Sequence, residues 1–194
     1  MQKQLSTAAF VPFDDTSLDE RSTLAIRWIL DREQETGRRA GLIVAWMQDY
    51  VEPIELFKRG RLCSSPRSSK SFGNGPVLVF CMGMEGLAKA VSCGREVAYV
   101  AWGNDPWMFG WAATVGAINL RSGQPEVPPS PEVTALLNDL DVAGRNGWYD
   151  NPGNEDARRI LGLLGKQVSR DFTAGAMLAR GHSVKSVKVL RALH

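Results

Sequence analysis

The stretch 76–102 constrains the fold more than any other part of the chain. Pro76-Val-Leu-Val-Phe-Cys81 is apolar and β-branched without alternation, the pattern of a strand buried on both faces. Glu85–Cys93 suits a short helix, with Gly94 at the position just past its end. Glu96-Val-Ala-Tyr-Val-Ala-Trp102 repeats the pattern of the first run. A strand, a helix and a strand of these lengths call for a right-handed crossover in a parallel sheet. Gly41-Leu-Ile-Val-Ala-Trp-Met47 has the same character and supplies another buried strand. Such strands need helices on both sides.

The segment before them meets that need. Ser17-Leu-Asp-Glu20 reads as a capping box, and Leu24, Trp28 and Ile29, with Ile26 and Leu30, recur at helical spacing. Gly37 stops this helix, and Arg38-Arg39 sit at its negative end. A helical turn fits Pro53–Lys58. Residues 10–13 and 117–120 are candidate edge strands. Trp107, Trp111 and Val115 lie four apart, on one helical face.

Pro125-Glu-Val-Pro-Pro-Ser-Pro131 is a stiff extended linker and marks a boundary. Beyond it, Glu132–Leu140 suits a helix, and Arg145–Gly153 is dense in turn residues. Helices then fit 154–165, 170–180 and 183–193, with Gly181 ending the second and Ser183 capping the third. The expected fold is therefore α/β. A small, mainly parallel, Rossmann-like sheet of about three to five strands with flanking helices fills residues 1–125. A helical C-terminal region follows at 131–194.

At 194 residues the chain can build a self-sufficient core. Its three cysteines, Cys63, Cys81 and Cys93, have no CxxC spacing, and it has two histidines. Those counts argue against a disulfide framework and against a metal site, and they suit a reducing, cytoplasmic compartment. No apolar run reaches the roughly 18 residues of a membrane span. The opening MQKQLSTAAFVPFDD lacks an apolar core followed by a cleavage site, so no secretory signal is expected.

Net charge is only +2, but it is segregated. Residues 51–75 carry five basic and two acidic side chains, and residues 151–194 carry eight and three. Both remaining segments are net acidic. In Gly60–Gly75, a loop rich in Ser and Gly, no acid occurs. Lys58, Arg59, Arg61, Arg67 and Lys70 in and beside this loop are candidate phosphate contacts. In the last helix Val184, Val187 and Leu190 should face inward, leaving Lys185, Lys188 and Arg191 on another face. A short helical unit ending in a basic helix follows helix-turn-helix arithmetic. The last helix holds no Asn or Gln for base readout.

A second candidate site lies beyond the strand carboxyl ends, where open parallel sheets bind ligands. Asp49, Met82, Gly83, Glu85, Asn104 and Asp105 fall there. Gly83-Met-Glu-Gly86 is not GxGxxG, and Glu85 would repel a phosphate. Asp105 before Pro106 also reads as a plain helix cap. Cys81 stands before a helix start but has no histidine near it in sequence, which favours an inert, buried thiol. The same scarcity of histidine disfavours the usual Ser-His-Asp constellation. Trp102, Trp107 and Trp111 could stack a ring, but their spacing suits core packing better.

The pieces GPVLVFCMGMEGLA, AYVAWGNDP, PPSPEV and the closing SVKVLRAL resemble a group of uncharacterised actinobacterial proteins. The resemblance implies a small α/β domain with a helical C-terminus in a bacterial cytoplasmic protein. It carries no activity, cofactor or site residue to this chain. Three functions follow as expectations. The first, favoured because no full catalytic motif occurs, is a nucleic-acid-associated binding or regulatory protein using the basic loop and basic C-terminal helices. The second is a nucleotide- or small-ligand-binding enzyme or sensor with its site at the strand ends. The third is a protein–protein adaptor exposing Trp107, Trp111 or Trp148 together.

Overall fold

A computed structural model describes residues 8–44, 51–65, 74–92, 96–149 and 151–193, with the side chains of 151–153 excepted. Asp49, Arg67, Lys70, Cys93 and Gly94 lie outside the described residues. The rest follows an α/β plan. β1 (Ala8–Val11), β2 (Gly41–Val44), β3 (Leu62–Ser64), β4 (Val77–Phe80), β5 (Val97–Val100), β6 (Ile118–Asn119) and β7 (Gln124–Pro125) make one sheet. Its order is β3-β2-β4-β5-β1-β6-β7. Every described pairing is parallel except the short β6–β7 hairpin.

All four residues of β1, β2, β4 and β5 are buried, as their unbroken apolar runs require. α1 (Leu18–Thr36) starts where Glu20 N donates to Ser17 Oγ at 3.2 Å, and it closes on Gly37 in the left-handed region. Its buried face is Arg21, Ser22, Ala25 and Ile29, so the stripe lies beside the expected one and Leu30 is exposed. Ala25 and Ile29 pack with Ile54 and Phe57 of α2 (Glu52–Lys58) over Leu42, Val44, Leu78, Phe80, Ala98 and Val100. α3 (Met84–Ser92) covers the other face: a Cβ on its Gly86 would sit 3.1 Å from Val79 Cγ1, and Val79 points opposite to Leu78.

The second group of helices comprises α4 (Trp107–Val115), α5 (Pro131–Ala143), α6 (Asn151–Leu164), α7 (Arg170–Ala179) and α8 (Val184–Ala192). The chain forms two compact units. One takes the described residues of Lys3–Asp105 with Ala117–Pro125, and the other takes Pro106–Gly116 with Glu126–His194. The expected linker is thus one crossing of three, and the other two bracket α4. In the helical unit α4 and α7 touch backbone to backbone. A Cβ on Gly110 would lie 1.9 Å from Phe172 O, and one on Gly175 would lie 1.7 Å from Trp107 O. Only glycine permits that approach.

Candidate functional site

β1 and β2 lead into α1 and α2 on one face of the sheet, and β4 leads into α3 on the other. Helices that diverge this way open the switch point of a parallel sheet, between the carboxyl ends of β2 and β4. At the end of β4, Cys81 takes φ 50°, a left-handed conformation that costs a non-glycine residue about 1–3 kcal/mol. The Cys81 amide still donates to Val100 O, so the sheet ladder ends at this elbow.

Three groups meet beside it. The Tyr99 hydroxyl donates to the Met82 carbonyl oxygen and also lies 3.1 Å from Asp105 Oδ2. Burial, then the negative charge of Asp105, push the phenol well above its ordinary range. Asp105 is therefore not the cap of α4: Pro106 occupies that position without a side-chain bond. Burial likewise pushes the Cys81 thiol up to about 12, so it is protonated at neutral pH. Of the residues expected here, Met82 and Asp105 come together, whereas Gly83, Glu85 and Asn104 are exposed at the rim.

Arg21 is the residue the sequence reading missed. It is 5% exposed, and its Nη1 donates to Ala101 O at 2.7 Å at the end of β5. The Phe13 ring lies 4.9 Å from its guanidinium carbon. Its Nε is buried with no hydrogen-bond partner. Among the described residues no ion pair to Arg21 occurs. The available signal was its four-residue spacing with Ala25 and Ile29, which places an arginine on the buried face of α1.

The two basic segments differ. Arg61 is spent inside the α/β unit: its Nη2 donates to Glu33 Oε2 at 3.1 Å, its Nη1 donates to Phe57 O, and its guanidinium lies over the Phe57 ring. Its side chain is 15% exposed. Lys58 Nζ lies 3.4 Å from Glu55 Oε1, and Arg59 is exposed. Arg61 is thus built into the fold and not offered to a phosphate, contrary to the expectation.

α7 and α8 are joined by a tight turn, Arg180–Ser183. Gly181 takes φ 90°, and the Gly181 and His182 amides donate back to Leu178 O and Met177 O. Ser183 Oγ then accepts from Ser186 N at 3.1 Å and starts α8. The turn is pinned to α5, because His182 Nε2 lies 2.7 Å from Asp141 Oδ1 and Arg180 Nη2 donates to Asn138 Oδ1. The His182 ring packs on the buried Trp148 indole at 4.4 Å. Ser186, Val187 and Leu190 of α8 are buried, and Val184 is half-buried. Lys185, Lys188 and Arg191 are exposed at i, i+3 and i+6, one stripe along the helix. Lys185 Nζ lies 5.4 Å from the Tyr149 ring centroid. Arg191 pairs with Asp171 at 2.7 Å and keeps 45% of its side chain exposed.

Trp107, Trp111 and Trp148 are all buried, so an adaptor surface built on them is not present. Trp102 alone of the expected aromatic cluster is exposed, at 63%. Among the described residues no three His, Cys, Asp or Glu side chains group so as to hold a metal ion, and no helix is long and apolar enough to cross a membrane. Comparisons with known protein families, with curated proteins and with solved structures return no match.

Proposed function

We propose that the chain binds nucleic acid through α8, with α7, the Arg180–Ser183 turn and α8 acting as a helix-turn-helix. The observation that supports this most is the exposed stripe Lys185, Lys188 and Arg191 on a helix held from behind by Val187 and Leu190. A glycine-containing turn of three or four residues between two short helices is the connection that motif uses. Charge supports the same reading: residues 157–193 hold eight cations and one acid, Asp171. Long-range attraction to a polyanion then adds to the local contacts.

The contacts expected are to phosphates. Lysine is a mobile point charge, and α8 presents no Asn or Gln to a base edge. The binding should therefore be strongly salt-dependent and weakly selective for sequence. The role is that of a bacterial, cytoplasmic binding or regulatory protein. The free thiols of Cys63 and Cys81 suit that compartment.

Fluorescence anisotropy with short duplex and single-stranded DNA across a salt series tests the proposal. A log–log slope of about −2 or steeper is expected, since each phosphate neutralised contributes about −0.7 to −0.9. No binding at low salt to either form would overturn it.

A further inference from the structure

We propose that the carboxyl edge of the parallel sheet is a site for a small oxyanion, a phosphate or carboxylate group, held by the Nε–Nη2 edge of Arg21 beside the elbow at Cys81.

A guanidinium binds oxyanions best through two parallel N–H bonds, for which the Nε–Nη2 edge is one suitable fork. In Arg21 the opposite corner is taken, because Nη1 holds Ala101 O. The Nε is buried and unpartnered, and no hydrogen bond to Nη2 is described. Leaving a charged donor buried and unpaired costs stability, and structures retain such groups where something else completes them. Among the described residues the guanidinium also has no ion pair, although its residue is only 5% exposed.

Position supplies an independent reason. Arg21 stands at the ends of β1, β5 and β4 together. Ala101 N donates to Val11 O, Cys81 N donates to Val100 O, and the Arg21 charge acts on the Cys81 thiol. Three residues past Cys81 the nine-residue helix α3 begins, so its N-terminal, partially positive end follows directly on this strand end. The Cys81 elbow strains the chain to make that turn. Asp105 and Glu85 bring negative charge to the rim, which limits the ligand to a small group reaching Arg21 and excludes a polyphosphate. Phe13 lies over the guanidinium and is itself half exposed, so its ring stands between Arg21 and solvent.

The test uses the full chain and two probes, inorganic phosphate and succinate, at an ionic strength held constant with chloride. Thermal unfolding should shift upward with millimolar amounts of at least one probe, and the probe that acts identifies the source of the oxyanion. In wild-type protein the Arg21 Nε–Hε NMR signal should move during the same titration. Arg21→Lys keeps the charge but loses the fork, so the affinity should fall about tenfold or more. A variant with Lys185, Lys188 and Arg191 changed to Ser should keep the wild-type shift, which separates this site from the α8 surface. No thermal shift with either probe, or an unmoved Arg21 signal, or an unchanged response in Arg21→Lys, would overturn the proposal.

Discussion

Arg61 and Lys185 come from the two basic segments of one chain and meet opposite fates. Around Arg61 the α/β unit supplies a carboxylate from α1, a carbonyl and an aromatic face from α2, so the cation becomes a brace. Around Lys185, α8 keeps its apolar side inward and the cation stays at the surface. A basic run in sequence is therefore two different objects, and the neighbours in space decide which. Where an acid such as Glu33 lies within reach, the charge stabilises the fold. Where the head group stays at the surface, as for Lys185 beside the Tyr149 ring, the charge can also meet a partner.

Substitutions can break this contrast in graded steps. The largest effect should come from Gly175→Val. Its side chain would collide with the Trp107 carbonyl and force α7 away from α4. Chemical denaturation should show a loss of about 3 kcal/mol or more, at the upper end of overpacking costs, and nucleic-acid binding should vanish with the α7–α8 geometry. Next comes Arg61→Met, which removes charged hydrogen bonds to Glu33 and leaves that carboxylate half-buried. A loss of about 1–3 kcal/mol is expected, with binding unchanged. If binding fell instead, the brace reading of Arg61 would be wrong.

The thiol at the sheet edge gives a smaller, pH-dependent effect. Because burial raises the Cys81 pKa to about 12, the folded state holds its proton where the unfolded state has lost it. Stability from this group is complete below the ordinary thiol value of 9.0 and is lost as pH rises towards about 12. Alkylation followed by mass spectrometry should find Cys81 slow at pH 8 and much faster after denaturation. The smallest stability effect should be that of Lys185→Ser with Lys188→Ser, within about 0.5 kcal/mol of wild type, because both are exposed on a helix surface.

Much of the architecture was legible because the governing signals are local. Unbroken apolar runs gave β2, β4 and β5, and Ser17, Gly37, Gly181 and Ser183 marked helix ends through side-chain oxygens and positive φ. β3 was hidden inside Gly60–Gly75, since a three-residue edge strand owes its existence to pairing with Gly41–Ile43 and not to its own pattern. α6 begins at Asn151, inside a stretch rich in turn residues, because a proline in the first turn of a helix forfeits no hydrogen bond. The membership of α4 in the helical unit depends on Gly110 and Gly175 meeting backbones far away in sequence. The candidate sites divided in the same way. The α8 stripe followed from helical periodicity, whereas the roles of Arg61 and Arg21 are set by Glu33 and Ala101, which sequence spacing does not reveal.

The contrast between the two basic segments is tested most directly by one salt series. DNA-binding anisotropy would be compared for wild type, for Arg61→Met, and for Lys185→Ser with Lys188→Ser. The account predicts that Arg61→Met leaves the log–log slope near wild type and the lysine pair makes it shallower by about 1.5–2 units. A shallower slope in Arg61→Met with an unchanged slope in the lysine pair would contradict it.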